Sequence, residues 1–341
     1  MKAAYLNKLD SPLKLSSNIK FNNLDYGQVL VKNYFTGVCK SQIYEIYSGR
    51  DNKKYIPHLL GHEATGVVVD KHSSVKKIKK GDRVILTWLK CKGIQSKSPK
   101  YYDKSKKINS GSVTTFSNFS IVSENRLLKL PKDISFRRGV ILGCAFPTGV
   151  GMILNHVSNS KNKKIAFVGL GGVGVSALLA GLNLNFKEIY GFDLNQKKLN
   201  FLKRSIKTEK EIIYSLFNKK ILKKFENYFD YVIETSGSIN GIQDGFKILN
   251  NSGKMVFASH PQKGRKIKID PCDLIKGKKI FGSWGGDIDY EKNCQKIFKI
   301  IKGIKNFDKI FNEKIYNLNN INKAIQDLKN EKVLRPIVKL F

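Results

Sequence analysis

Two regimes of hydrophobic and polar positions divide the 341 residues. Up to about residue 145, short apolar runs alternate with Gly, Asp and Lys clusters. "GQVLVKNYFTGV" starts at Gly27, "EATGVVVDK" at Glu63 and "GDRVILTWL" at Gly81. Residues 1–10 read as a further strand. This pattern predicts antiparallel strands of a compact, barrel-like domain. Near Thr148 it changes. The stretch "KKIAFVGLGGVGVSALLAGLNLNFKEIYGFDLN", from Lys163, reads as apolar strand, glycine turn, helix and second strand. Further strands are predicted over 231–235, 254–258 and 279–283, with helices over 196–206 and 239–249. Alternating strands and helices imply a parallel, doubly wound sheet. Beyond about Tyr290 the pattern is mixed, with amphipathic helices in "EKNCQKIFKIIKGIKNF" and "INKAIQDLKNEK". A last strand lies in "VLRPIVKLF", where Pro336 suits an edge or a bulge. Residues 97–112 are the most loop-like stretch. The reading is an α/β chain with a β-rich domain over 1–146, completed by 285–341, and a nucleotide-binding domain over 147–284.

Composition adds a charge question. Lys and Arg number 62 against 27 Asp and Glu, a formal net charge of +35. The lysines are spread over the whole length among many Ile and Asn, a compositional bias rather than a concentrated basic face. Specific nucleic-acid binding is therefore not expected, since such modules cluster charge and interleave aromatics. No apolar run approaches a membrane span, and the N-terminus lacks a signal-peptide core. Five cysteines, Cys39, Cys91, Cys144, Cys272 and Cys294, are odd in number and irregularly spaced. They argue against a disulfide framework and for a cytoplasmic chain with reduced thiols.

Two constellations carry chemistry. In Gly169-Leu170-Gly171-Gly172-Val173-Gly174 the first glycine allows a tight turn, the second admits a pyrophosphate, and the third lets helix pack on strand. The following helix N-terminus would supply N–H groups to the phosphates. Asp193 ends the next apolar run, where a carboxylate would accept ribose hydroxyls and repel a 2′-phosphate. NAD is thus expected over NADP, although nearby lysines leave NADP some tolerance. The second constellation is Cys39, His62 and Cys144, two thiols and an imidazole of the types that bind a catalytic zinc with one open position. Spacing alone does not bring them together, and each alone reads equally well as an ordinary core residue.

The motifs "GVCKS", "GHEATG", "GDRV", "GCAFPTG", "GLGGVG" and "LRPIVKLF" occur in an order and spacing that resemble the zinc-dependent alcohol dehydrogenases, medium-chain dehydrogenase/reductases, over the whole chain. That resemblance implies a GroES-like catalytic domain, a Rossmann domain, and hydride transfer between an alcohol and NAD. It implies Cys39, His62 and Cys144 as catalytic zinc ligands, with Glu63 beside the metal. Ser41 would begin a proton relay and Lys40 would contact the pyrophosphate. Thr148 would lie near the nicotinamide, Lys198 near the adenosine ribose, and Arg335 would reach a cofactor phosphate. Trp88 and Trp284 are candidate walls of the substrate and nicotinamide pockets. A homodimer or homotetramer is implied, pairing sheet edges through "KKIFGSW".

Three positions depart from the family pattern. Only Cys91 stands where many relatives carry four cysteines for a structural zinc, so one catalytic zinc per chain is expected. Gln42 replaces an acidic residue that orients the zinc-bound histidine. Tyr44 occupies the place of a histidine that ends the relay. A zinc-free quinone or enoyl reductase of the same fold is the main alternative. A basic nucleic-acid-binding protein and a catalytically degenerate scaffold are weaker ones. The substrate, an alcohol that could be a polyol, sugar or phosphorylated alcohol, is not specified by the sequence.

Overall fold

The computed structural model describes residues 1–47, 55–262, 264–311 and 314–341. These form two compact units. One comprises Met1–Cys144, Asp289–Lys292 and Phe311–Phe341, the other Ala145–Ile288 and Asn293–Ile310. The sequence reading gave all of 285–341 to the first domain; the stretch Asn293–Ile310 instead packs with the nucleotide unit.

The first unit is built on the long strand Gln28–Gly37. It pairs antiparallel with Ala64–Lys71, with Phe119–Ser123 and with Ile337–Lys339. The predicted apolar runs thus become its central strands, and Val29, Val31, Val68, Val84 and Val122 fill the core beneath them. Pro336 does not mark an edge. The strand Ile337–Lys339 begins one residue later and lies between Gln28–Gly37 and Ile315–Asn317. Proline just ahead of the first paired residue removes no ladder donor, and its carbonyl accepts the Val38 N–H at 3.0 Å.

The loop-like stretch 97–112 holds a hairpin, Tyr101–Asp103 with Lys106–Ile108, paired onto Ile19–Phe21. Its apolar signal is confined to Tyr101 and Ile108, both fully buried. The Tyr101 hydroxyl also accepts the Ile121 N–H at 2.8 Å. The approach to this hairpin is fastened by Glu124. Its carboxylate accepts the backbone N–H groups of Lys76, Lys77 and Ile94, each at 2.8 Å.

The second unit carries a parallel sheet. Its strands are β1 (Lys164–Val168), β2 (Glu188–Asp193), β3 (Ile213–Leu216), β4 (Phe229–Glu234), β5 (Leu249–Phe257) and β6 (Lys279–Gly282). Among the described residues their order is β3-β2-β1-β4-β5-β6, so the direction of winding reverses between β1 and β4. In open α/β sheets ligands bind at the carboxyl ends of the strands flanking that reversal. The helix Gly172–Gly181 is apolar all round and almost wholly buried, as an element lying against a sheet must be. Helix starts are capped where the sequence offers Asn or Ser. Asn195 accepts from Lys198 N, Asn218 from Ile221 N and Ser238 from Gly241 N. Tyr190, Phe192, Phe225 and Phe229 cluster on the sheet, with Tyr190 edge-on to Phe229 at 5.1 Å. Such pairs add about 0.5–1.5 kcal/mol beyond burial. Among the described residues no single helix is long and apolar enough to cross a membrane.

Candidate active site

The metal candidates all lie in the first unit. Strand Gln28–Gly37 runs out beside the start of Ala64–Lys71, with Thr36 opposite Ala64. Residues just beyond the first strand and just before the second therefore share one end of the sheet. Cys39 has extended backbone and caps the helix Lys40–Ile46. His62 and Glu63 precede the second strand. Cys144 follows the tight turn Val140–Gly143. The ligand atoms of Cys39, His62 and Cys144 lie within 4.8 Å of one another. Residues 105 positions apart in sequence thus form one donor cluster.

The electrostatics favour a cation. A hydrogen bond between the two thiols holds Cys39 well below its ordinary range and pushes Cys144 well above. Arg335 and His62 add positive potential at Cys39. A divalent ion would replace that thiol–thiol hydrogen bond, because coordinating thiols are deprotonated outright. Burial opposes a charged His62, but the Cys39 sulfur and Glu63 outweigh it and raise its pKa. His62 Nδ1 is taken by the Gln42 carboxamide nitrogen at 2.6 Å. Its Nε2 is buried with no hydrogen bond of normal geometry, as is the Ser41 hydroxyl.

Gln42, flagged in the sequence only as a departure, is the group that touches His62. Its Oε1 accepts the Cys39 N–H at 2.9 Å. One side chain therefore ties two candidate ligands together. Beneath them Glu63 is fully buried. Close approach to it requires glycine. A Cβ on Gly37 would lie 2.0 Å from Glu63 Oε1, and one on Gly143 would lie 2.5 Å from Glu63 Cβ.

Arg335 meets this carboxylate. Its Nε donates to Glu63 Oε1 at 2.7 Å, and Nη2 lies 2.6 Å from Oε2, close but poorly aligned. Sequence reasoning missed the pairing, because nothing local to either residue signals a partner 272 positions away. The guanidinium expected to reach a cofactor phosphate is thus engaged by Glu63. Lys40, expected at the pyrophosphate, is exposed and lies 3.3 Å from Glu331. Tyr44 is half-buried on the same helix as Ser41, three residues on. Trp88 is half-buried in the same unit.

The remaining dinucleotide candidates lie in the second unit. Gly169 follows β1 with φ +82°, the left-handed region that favours glycine, and a Cβ there would sit 2.6 Å from Ser236 backbone. Gly171 caps the helix that opens with Gly172 and Val173, and a Cβ on it would meet nothing within 4 Å. A Cβ on Gly174 would be 2.0 Å from the Gly169 carbonyl. The first and third glycines thus close the turn, and the second faces open space. Asp193, at the end of β2, accepts the Leu170 N–H at 2.8 Å and the Asn195 N–H at 3.0 Å. Lys198 Nζ lies 2.9 Å from both its oxygens. Asp193 and Lys198, expected as two ribose contacts, are one ion pair. Thr148 is buried in the helix Ala145–His156. Trp284 is 65 % exposed and stands edge-on to His260.

Comparisons with known proteins bear on the family. The family model described as "Alcohol dehydrogenase GroES-like domain" matches residues 25–132, and "Zinc-binding dehydrogenase" matches 172–301. An alcohol dehydrogenase class-3 from Caenorhabditis elegans is 24% identical, covering 91% of this chain and 89% of that protein. An S-(hydroxymethyl)glutathione dehydrogenase from Photobacterium damsela subsp. piscicida is 25% identical, covering 77% and 79%. The solved benzyl alcohol dehydrogenase of Acinetobacter calcoaceticus shares the fold, with a TM-score of 0.86 at 22% identity over 100% of this chain and 99% of that one. A GroES-like domain followed by a zinc-binding dehydrogenase domain, relatives aligned over most of both chains, and a Cys/His donor cluster make this chain a member of the zinc-dependent alcohol dehydrogenase family, within the medium-chain dehydrogenase/reductases.

Proposed function

We propose that the chain is an oxidoreductase that interconverts an alcohol and its carbonyl compound, using one zinc ion held by Cys39, His62 and Cys144 and NAD held by the glycine turn. The observation that carries the reading is the convergence of two thiols and an imidazole whose buried Nε2 makes no hydrogen bond of normal geometry. That donor set fits zinc with one position left for substrate. The space over Gly171 at a helix N-terminus fits a pyrophosphate. When bound, zinc supplies Lewis-acid polarisation of the substrate oxygen and the dinucleotide accepts or returns the hydride.

The chain's own residues do the rest. Gln42 fixes the His62 ring, and Glu63 with Arg335 forms a buried, ion-paired floor. The Ser41 hydroxyl, whose oxygen is buried without a hydrogen bond, would take the alcohol proton. Tyr44, one helical turn further, is the exit we favour, since residues three apart share a helix face. Asp193 disfavours a 2′-phosphate, which supports NAD over NADP; Lys198 weakens but does not reverse that preference, because its charge is already paired. Lys40 would exchange Glu331 for the pyrophosphate at small cost, since exposed pairs contribute roughly 0–1 kcal/mol.

A small molecule is the substrate. The class-3 and S-(hydroxymethyl)glutathione relatives suggest an alcohol adduct of a thiol; a polyol or phosphorylated alcohol fits the basic composition as well. The free thiols of the donor set suit a reducing compartment such as the cytoplasm. A homodimer is supported by the edge strand β6, which presents Phe281 to solvent. The test is an NAD-reduction screen over alcohols, thiol adducts, polyols and sugar phosphates, with zinc quantified in the same sample. A zinc content far below one per chain, or no turnover in the zinc-replete protein, would sink the reading.

A further inference from the structure

Glu234 is the last residue of β4 and stands opposite Val168, the residue before the glycine turn. It is fully buried. Among the described residues no cation pairs with it. Its partners are two serines and a backbone amide. Oε1 accepts the Ser236 N–H at 2.7 Å and the Ser236 hydroxyl. Oε2 accepts the Ser259 hydroxyl at 2.7 Å. Ser259 Oγ in turn accepts the Gly237 N–H at 2.7 Å. One carboxyl group therefore sets the path of residues 235–237 and ties them to the segment after β5.

That path is the wall against which the glycine turn is built. Thr235 N donates to Val168 O at 2.8 Å, and Thr235 Oγ1 donates to Gly169 O at 2.6 Å. Gly169 lies so close to Ser236 that a Cβ would sit 2.6 Å from its Cα, and a Cβ on Gly174 would sit 2.6 Å from Thr235 Oγ1. Gly241, on the far side, would place a Cβ 2.1 Å from Ser236 Oγ. Residues 235–237 are thus packed between the glycine turn and the next helix. Burying a carboxyl without a cation is costly. An apolar side chain would fill the same volume without that cost, but it could not order three donors at this point. Burial also pushes the Glu234 carboxyl up, while the serine and amide donors oppose that shift.

We propose that Glu234 is a positioning residue for the dinucleotide: through Ser236, Ser259 and Gly237 it holds the 235–237 turn that shapes the phosphate-binding glycine loop. This rests on the dinucleotide reading above. Glu234→Leu removes the acceptors and keeps the bulk. Glu234→Gln keeps an acceptor for Ser236 and offers its NH2 to the Ser259 oxygen. NADH affinity is read by fluorescence titration, with KM for NAD, kcat at saturating NAD and the thermal midpoint measured alongside. In Glu234→Leu the NADH dissociation constant and KM for NAD rise about tenfold or more, as loss of buried acceptors predicts. At saturating NAD, kcat stays within about twofold, since the perturbed interaction is a binding one. Glu234→Gln restores binding to within about threefold of wild type.

An unchanged dissociation constant in Glu234→Leu overturns the proposal. So does a fall in kcat at constant KM, the signature of a merely structural loss of active enzyme. If Glu234→Leu does not fold, Ser259→Ala removes the donor to Glu234 Oε2 and the acceptor of the Gly237 N–H, and leaves the Ser236 bonds in place. It is expected to weaken NADH binding about threefold or more, and no change refutes the proposal. A wild type that fails to bind NADH defeats the dinucleotide reading and this inference together. A wild type that binds, with variants that bind equally well, defeats the inference alone.

Discussion

Gln42→Glu is expected to tighten zinc binding. The Cys39 N–H fixes Gln42 Oε1 as its acceptor at 2.9 Å, which leaves the carboxamide NH2 to face His62 Nδ1 at 2.6 Å. With Nδ1 accepting, a neutral imidazole carries its proton on Nε2. Yet Nε2, the buried nitrogen that Gln42 does not contact, is the one open to a metal. Ligation through Nε2 moves the proton to Nδ1 and sets it against the NH2 group, donor against donor. Rotating the amide only transfers the conflict to the Cys39 N–H. Gln42 is 1 % exposed, so water does not relieve it. One buried donor left unpaired costs about 1–3 kcal/mol. A glutamate of the same length offers an acceptor to both donors. The zinc dissociation constant should therefore fall roughly tenfold to a hundredfold, the range by which groups behind metal ligands tune affinity. Gln42→Leu, which satisfies neither donor, should weaken binding by about tenfold. Competition against a chromogenic chelator, starting from metal-free protein near neutral pH, measures both. If Gln42→Glu binds zinc no tighter than wild type, the donor conflict is not real and the argument is wrong.

Cys144→Ser should lower zinc content well below one per chain and turnover by at least about a hundredfold; full zinc occupancy with normal turnover would exclude Cys144 as a ligand. Glu124→Gln removes an acceptor from the three N–H groups of Lys76, Lys77 and Ile94, and should cost about 1–3 kcal/mol and a few degrees of thermal midpoint. Burial opposes ionisation of Glu124, but those donors outweigh it and its pKa is lowered. Its stabilisation is therefore complete above the ordinary glutamate value and is lost as pH falls through the lowered one. The acid-side slope of wild-type stability should be shallower in the variant, and identical slopes would refute the assignment. Phe281→Asp places a charge on the exposed edge strand β6 and should dissociate the proposed dimer in sedimentation experiments. A variant that sediments as wild type removes β6 from the interface.

What the sequence disclosed was mostly local. The Gly169–Gly174 turn and Asp193 are readable because strand, turn and helix are contiguous and each glycine answers a steric demand a few residues away. The central strands are readable because they alternate or run apolar between turn residues. The hairpin at 101–108 escaped notice because two buried side chains, Tyr101 and Ile108, hold a stretch that is otherwise polar. Pro336 misled because the rule excluding proline from interior strands does not reach the position just ahead of one. Pairings across the fold were the least legible. Lys198 and Asp193 were each assigned to the ribose, while their mutual ion pair depends on helix geometry after the Asn195 cap. Glu234 drew no attention in "YVIET", where it passes for a solvent-facing strand end.

The Glu63–Arg335 pair also bears on how the chain is made. At roughly 5–20 residues per second, the ribosome adds Arg335 about 15–55 s after Glu63. The strand Ile337–Lys339, which closes onto Gln28–Gly37, is later still. All three donor residues have left the ribosome by then, but the carboxylate beneath them has no counter-charge and the sheet above lacks a strand. The assembly of this centre therefore waits on Arg335 and on the strand that follows it. A chain without Arg335 would keep every ligand candidate and the whole dinucleotide turn, yet would bury the Glu63 carboxyl without its counter-charge.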